Sequence, residues 1–383
     1  MSSFTKIYWR SSGVPTWGLI FLIVLSVIVM VSAENIKQRD PVVDDNYATM
    51  VNASKIMREG MQVLKPLRAK LAPINPEFDP QRSGMVGLEN SIVTTNHGSR
   101  ESKQTTVNPN WAAVAVKLMA DAGVQEGDLV AVTVSGSFPA MNLAVYSAIE
   151  AMGAEAIIIA SASSSQWGGN VPNFLWLDME RELREAGVLS SKPVYASIGG
   201  IEDRGIGIPE EGITSIRNTI ERAGINFIDP ASYQEAVADR IAIFREYSAD
   251  RQYKAFVNVG GGATIVGPPG IDDMFKSGLQ RDAPSRAFAV DTMMGYFLQE
   301  DIPGIHFSGI KDMATRHGLP LMPQEVVPVG NGGIYSATVY NRWLALGLGL
   351  GLFAMTWLIV RSARITSLWR RTGESGKSTK PMV

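Results

Sequence analysis

Two continuous apolar runs, residues 129–134 and 156–160, are the clearest pattern along the chain, and a segment with helical periodicity separates them. The first run ends in a Ser-Gly-Ser-Phe-Pro turn at residues 135–139, and the second ends in a cluster of serines. Strands that are buried on both faces of a parallel sheet read as unbroken apolar runs. The pattern therefore predicts a βαβ unit over residues 128–161.

The same alternation of strand and helix continues through the following residues. Further strands are predicted at residues 193–198, 226–228, 253–259 and 325–329, and helices at residues 111–121, 175–186, 209–223, 231–247, 291–298 and 310–317. Asn108 is the predicted N-cap of the first of these helices, and Gly123 is predicted to end it. This order predicts an α/β fold with a largely parallel sheet and helices on both faces.

Two uncharged apolar segments flank this region, at residues 17–33 and 343–360, and each is close to the length that crosses a bilayer. Lys6 and Arg10 precede the first segment, and a group of basic residues follows the second. Positive flanks favour the cytoplasmic side, so we expect two transmembrane helices with an extracytoplasmic domain between them. A cleaved signal peptide ending near Ala33 is the alternative for the first segment.

The expected organisation therefore has six parts. They are a cytoplasmic N-terminus (1–16), a transmembrane helix or signal peptide (17–33), a helix with a Pro-rich linker (34–84), an extracytoplasmic α/β domain (85–340), a transmembrane helix (343–360) and a basic cytoplasmic tail (361–383). Gly347 and Gly351 could form a small-residue face for a homodimer in the membrane. The expected location is the cell (inner) membrane.

Charge and composition narrow the classes of partner. The chain has no cysteine, which excludes disulfides and thiolate chemistry. Residues 34–341 contain 26 basic and 36 acidic residues, a net charge near −10. Nucleic acid is therefore not expected as a partner, because binding to a polyanion depends on neutralising its phosphates. An anionic substrate would need a local basic patch.

The carboxyl ends of the predicted strands carry the candidate chemistry, since ligands of parallel sheets bind outside these ends. Ser135 lies where the first strand meets its turn, and it could act as a nucleophile, contact a ligand, or cap the following helix. His97, in a polar loop, is the best candidate for its general base, because a serine nucleophile needs one. Gly261 and Gly262 belong to a second strand-end turn that could bind an anion. A third such turn is predicted at residues 330–333.

Other side chains in two polar segments are candidates for substrate binding: Ser137, Arg100, Lys103, Ser165, Gln166, Trp167 and Asn170. Arg100 is the best candidate for a carboxylate clamp, because a guanidinium can bind a carboxylate in a bidentate manner. No nucleotide-binding motif follows any predicted strand, so no cofactor is expected. The carboxylates at 272, 273 and 291 are too weak a cluster to predict a metal site, and no His spacing indicates zinc.

Several stretches together resemble the poly-γ-glutamate system protein family. They are SGSFPAMNLA (135–144), SSSQWGGNVPNFLWLDME (163–180) and NPNWAAVAVKLM (108–119), within a domain flanked by two apolar segments. The resemblance implies a membrane component of a poly-γ-glutamate synthesis or export system that binds or handles the polymer beside other membrane components. The alternative is an extracytoplasmic serine-dependent γ-glutamyl amide hydrolase or transferase. The resemblance implies no particular catalytic residues.

Overall fold

The computed structural model of the protein describes residues 16–41, 45–268, 270–330 and 332–374. They form two compact units. One unit contains the segments up to Pro41 and from Ser336 onwards, and the other runs from residue 42 to Tyr335.

The elements are numbered in chain order. The helices are α1 (Thr16–Asn35), α2 (Tyr47–Leu71), α3 (Arg100–Thr106), α4 (Trp111–Ala122), α5 (Pro139–Met152), α6 (Trp176–Glu185), α7 (Glu210–Arg222), α8 (Tyr233–Ser248), α9 (Ala263–Val266), α10 (Met293–Gln299), α11 (Ile310–Arg316) and α12 (Arg342–Glu374). The strands are β1 (Lys37–Pro41), β2 (Leu129–Ser135), β3 (Glu155–Ser161), β4 (Asn170–Val171), β5 (Phe174–Leu175), β6 (Tyr195–Ser197), β7 (Asn226–Ile228), β8 (Ala255–Val259), β9 (Gly278–Gln280), β10 (Gly304–Phe307) and β11 (Ser336–Tyr340).

The terminal unit contains the two apolar segments. Helix α1 and the Arg342–Ser362 part of α12 are each long and apolar enough to cross a membrane, at 20 and 21 residues. The apolar segments predicted at 17–33 and 343–360 lie within these two helices. Strands β1 and β11 pair antiparallel, with Lys37 opposite Tyr340.

The larger unit is built on a seven-stranded sheet with the order β7-β6-β3-β2-β8-β10-β9. Every neighbouring pair is parallel except β9 with β10, which is antiparallel. The predicted α/β fold with a largely parallel sheet is therefore confirmed. The predicted βαβ unit is also present, as β2, α5 and β3.

Both faces of the sheet are covered. Alternate side chains of a strand point to opposite faces. Val130, Val132 and Val134 of β2 accordingly join the core that contains α4 and α5. Leu129 and Ala131 join the core that contains α8 and α10. Helix α2 packs on α4 and α5 and adds buried methionines to the first core.

Local predictions failed where polar residues interrupt the pattern. Residues 325–329 are irregular, so the strand predicted there is wrong. Asn110 rather than Asn108 is the N-cap of α4, because the Asn108 side chain accepts a hydrogen bond from the Asn110 N–H (3.0 Å) and forms the turn before the helix. His306 lies in β10, a strand that the apolar pattern did not predict. The predicted 330–333 turn includes residue 331, which lies outside the described residues.

The order of the strands creates a switch point. From β2 the chain adds β3, β6 and β7 on one side, and then crosses to β8 on the other side of β2. Open parallel sheets bind ligands in the crevice at such a reversal, outside the carboxyl ends of the strands. Here that crevice lies between the turns after β2 and β8.

Candidate functional site

A pocket occupies this crevice. We call it the switch-point pocket, and its lining residues are Thr133, Val134, Ser135, Ile159, Ser161, Gly200, Asp203, Arg240, Asn258, Val259, Gly262, Ala263, Thr264 and Ile265. Its volume is about 40 Å³. This is several times the space that one water molecule needs, so the pocket can accept a small polar group.

Ser135 lies at the wall of the switch-point pocket. Its Oγ accepts a hydrogen bond from the Ser137 N–H (3.2 Å), and none of the described hydrogen bonds uses its own hydroxyl proton. The backbone of Gly260 approaches it closely, because a Cβ at Gly260 would lie 3.1 Å from the Ser135 Cβ. Gly260 also has a φ of +98°, in the region that favours glycine. The turns after β2 and β8 are therefore in direct contact.

A buried ion pair lines another part of the pocket. Arg240 Nη2 lies 2.6 Å from Asp203 Oδ2, and both side chains are almost fully buried. The Ser197 hydroxyl links them, since it donates to Asp203 Oδ1 (2.7 Å) and accepts from Arg240 (2.8 Å). Buried ions need such additional bonds to offset their lost hydration.

Asp203 and Arg240 were not predicted from the sequence. Asp203 follows the carboxyl end of β6, so the strand-end criterion that selected Ser135 could also have selected it. Arg240 lies in the middle of α8, where no sequence motif marks it. Its role depends on Asp203, a residue distant in the sequence that lies near it only in the folded protein.

A chain of hydrogen bonds runs from the pocket into the sheet. Thr133 Oγ1 donates to Asn258 Oδ1 (2.9 Å), and Asn258 Nδ2 donates to His306 Nδ1 (2.9 Å). Burial lowers the pKa of His306 to about 4. The imidazole is therefore neutral at pH 7, and this hydrogen-bond chain positions Asn258 against the pocket.

A second group of side chains surrounds Lys103, and we call it the Lys103 cluster: Lys103, Ser137, Phe138 and Ser165. Lys103 is only 3% exposed. Its Nζ donates to the Ser137 carbonyl and to Ser165 Oγ (3.1 Å), and it lies 3.3 Å from the centre of the Phe138 ring. The Ser165 N–H in turn donates to Ser137 Oγ (3.0 Å). Burial lowers the pKa of Lys103 to about 7, so its neutral amine is accessible near physiological pH.

The third group lies at the surface, and we call it the Arg100 surface: Phe78, His97, Arg100, Gln166 and Trp167. The exposed Arg100 guanidinium lies over the Phe78 and Trp167 rings, at 5.3 and 5.9 Å from their centres. His97 Nδ1 lies 3.3 Å from Gln166 Oε1. Among the described ion pairs, none involves Arg100, so its charge is available to a ligand.

Trp167 has a strained backbone, with a φ of 62°. A bulky residue in this region is an outlier, and such outliers concentrate at binding sites. Backbone hydrogen bonds hold it there, because its N–H donates to the Leu88 carbonyl (2.8 Å) and its carbonyl accepts from the Gly87 N–H (3.0 Å). These hydrogen bonds hold the backbone of Trp167, whose indole ring lies within cation–π distance of Arg100.

Apart from Asn170, the sequence-predicted site residues thus divide among these three places. Ser135 and Gly262 line the switch-point pocket, and Gly261 is adjacent to Gly262 in the same turn. No described hydrogen bond joins Ser135 to His97, which contacts Gln166 instead, so a Ser135–His97 pair stays a prediction. Asn170 is buried and bonds to the backbone of Leu88 on both sides of its amide.

Neither a search for metal-binding groups nor a comparison with known proteins indicates a function. Within the described ranges, no group of three or more His, Asp or Glu side chains could hold a metal ion. A scan against models of protein families finds no match, and a search of curated proteins finds no significant one. Function must therefore be inferred from the side chains themselves.

Proposed function

We propose that the protein is a two-pass component of the cell (inner) membrane that binds poly-γ-glutamate outside the cytoplasm, in a system that makes or exports this polymer. Two terminal helices long enough to cross a membrane support the anchoring. The motif resemblance at residues 108–119, 135–144 and 163–180 supports the choice of polymer.

The proposal rests mainly on one observation: the exposed Arg100 guanidinium takes part in none of the described ion pairs. Each unit of poly-γ-glutamate presents one free carboxylate, and a guanidinium without an ion-pair partner can bind it through two parallel hydrogen bonds. The Phe78 and Trp167 rings restrain the guanidinium, while the Arg100 side chain stays exposed to solvent. The side chain is thus partly ordered before binding, which lowers the entropy cost of the contact.

Neighbouring groups extend this surface. His97 is exposed beside the partly exposed Gln166, whose amide also donates to the Asn90 side chain (3.1 Å). Imidazole and amide groups can donate to the backbone carbonyls that alternate with carboxylates along the polymer. Here the domain, although acidic as a whole, offers a local cation to a polyanion.

The test is binding of the full-length, detergent-solubilised protein to immobilised poly-γ-glutamate. Arg100→Gln should weaken the affinity roughly tenfold, because a hydrogen bond to a charged group contributes about 1.5–3 kcal/mol. Wild-type binding should also weaken as salt is raised from 0.05 to 0.5 M, roughly the range over which exposed charges become screened.

Arg245→Gln is the matched control. Arg245 is also an exposed arginine stacked on an aromatic ring, at 5.3 Å from the centre of Tyr296, but it lies outside the Arg100 surface. It should leave the affinity unchanged. Equal binding by wild type and Arg100→Gln, or an equal loss in both variants, would show that the Arg100 surface is not the polymer site.

A second candidate function is hydrolysis or transfer at a γ-glutamyl amide, and the contact of Lys103 Nζ with Ser165 Oγ favours it. A lysine that loses its proton near pH 7 can serve as the general base for a serine nucleophile. The neutral amine would take the proton of Ser165 as its Oγ attacks the amide carbonyl. The lysine would then return that proton to the leaving amine, and water or an acceptor amine would release the acyl group from Ser165.

Chain shortening of poly-γ-glutamate by the purified full-length protein tests this candidate. The rate should rise with pH through about 7, because Lys103 must be neutral to act as a base. Ser165→Ala and Lys103→Met should abolish it, whereas Ser102→Ala, a serine one position from Lys103 on α3, should not. If the wild type leaves the chain length unchanged, or Ser165→Ala still cleaves, the hydrolase is ruled out.

A further inference from the structure

We propose that the switch-point pocket is a separate binding site for the carboxylate group of a small organic acid. It lies at the topological reversal between β2 and β8, where parallel sheets bind ligands. The Arg100 surface is formed by other residues, so this inference does not depend on the polymer-binding proposal.

Side-chain hydroxyls in the pocket have uncommitted hydrogen-bonding capacity. Thr264 is 3% exposed, lines the pocket, and its hydroxyl takes part in none of the described hydrogen bonds. Ser161 Oγ makes only long contacts, at 3.4 Å to Ser197 and 3.5 Å to Asp203. A ligand oxygen in the pocket can therefore bond to the Thr264 hydroxyl without displacing any of the described hydrogen bonds.

The turn after β8 adds donors from the backbone. Gly260 N–H is bonded to the Phe307 carbonyl (3.2 Å), but none of the described hydrogen bonds is donated by the N–H of Gly261, Gly262, Ala263 or Thr264. Unpaired backbone N–H groups at a turn favour a negatively charged ligand. Together with the hydroxyls of Ser135 and Thr264, they give this pocket an excess of donors.

The charges of the pocket favour a carboxylate over a dianion. Asp203 and Arg240 compensate each other, so the lining has no net positive charge. A phosphate dianion would have to approach the Asp203 carboxylate without a free cation, whereas a carboxylate carries one charge that hydroxyls and N–H groups can share. The volume of about 40 Å³ also suits a carboxylate group, with the rest of the acid reaching towards solvent.

Two adjacent glycines provide a matched steric test. Gly262 lines the pocket with φ −60° and ψ 135°, which alanine adopts freely, and a Cβ there would have only Ile265 Cγ1 within 4 Å, at 3.6 Å. Gly261 has no atom within 4 Å of its Cβ position, and it is not part of the lining. Gly262→Ala therefore adds a methyl group at a residue of the pocket lining, and Gly261→Ala adds one at the neighbouring residue outside the lining.

The experiment is titration of the full-length, detergent-solubilised protein with acetate, glutarate, glutaramide and inorganic phosphate. Acetate and glutarate should bind saturably, and glutarate should bind at least tenfold more tightly than glutaramide, which has amides in place of its carboxylates. Gly262→Ala and Thr264→Val should each weaken glutarate binding at least tenfold. Gly261→Ala should not, nor should Thr315→Val, at an exposed threonine of α11 outside the pocket lining. Thermal unfolding of each variant checks that it is folded.

Three results would overturn the inference. They are no saturable binding of either acid, tighter binding of phosphate than of glutarate, and glutarate affinity that Gly262→Ala leaves unchanged. The polymer proposal has a different readout, since Arg100→Gln should not affect glutarate binding and Gly262→Ala should not affect binding of the polymer to the Arg100 surface.

Discussion

Glu180 is a buried acid whose protonation should be visible in the stability of the protein. Its side chain is fully buried, Arg184 donates to Oε1, and Oε2 has no partner among the described atoms. Burial raises the pKa of Glu180 to about 7, although Arg184 opposes the shift. Between pH 4.5 and 7 the folded protein therefore binds a proton that the unfolded chain has released, so this site stabilises the fold less as pH rises.

Glu180→Gln should remove this loss of stability at high pH, because glutamine does not ionise. At pH 8 the variant should be more stable than the wild type, by about 1–3 kcal/mol, and at pH 5 the difference should nearly vanish. Thermal unfolding of the two full-length proteins across this range measures it. Glu185→Gln, on the exposed side of the same helix, is the control, and its stability at pH 8 should stay within about 0.5 kcal/mol of wild type. A Glu180→Gln difference that is the same at pH 5 and pH 8 would contradict the assignment.

At the scale of elements, the sequence correctly predicted the strands that are buried along most of their length. Strands β2 and β3 lie inside a parallel sheet, so nearly every residue is apolar and the run is unmistakable. Strand β10 escaped prediction because it is only four residues long and includes His306, whose polarity Asn258 satisfies only in the fold. Helix α3 escaped because its seven residues are polar, and the Ser99 cap that begins it is a weak signal without an apolar stripe.

The candidate site was also predictable only in part: its segments could be identified from the sequence, but the pairs of side chains within it could not. The polar segments before α4 and after β3 were expected to carry the chemistry, and the structure joins them through a bridge between Thr94 and Ser164. Pairings within the site were not predictable. The partner of Ser165 proved to be Lys103, and Asp203 found Arg240 from another helix. Such contacts depend on how distant elements pack, which no local spacing encodes.

At the scale of the whole molecule, net charge affects how the protein could bind a polyanion. The region between the apolar helices has a net charge near −10, which would repel a polyanion at long range. Salt screens such repulsion within about 10 Å, whereas a contact with Arg100 acts at bonding distance. The proposed polymer binding would therefore depend on local contacts at the Arg100 surface rather than on the net charge of the region.

The orientation of the chain in the membrane can be measured because the protein has no cysteine. Single cysteines can replace Glu185, a mostly exposed residue of α6, and Thr372, near the end of α12. Basic residues on the outer flanks of the two apolar helices predict that Glu185 lies outside the cytoplasm and Thr372 inside. A membrane-impermeant maleimide should therefore label Glu185→Cys in intact cells, and label Thr372→Cys only after the cells are permeabilised. Labelling of Thr372→Cys in intact cells, or failure to label Glu185→Cys before permeabilisation, would reverse the orientation. The Arg100 surface would then face the cytoplasm, where it could meet the polymer only before export.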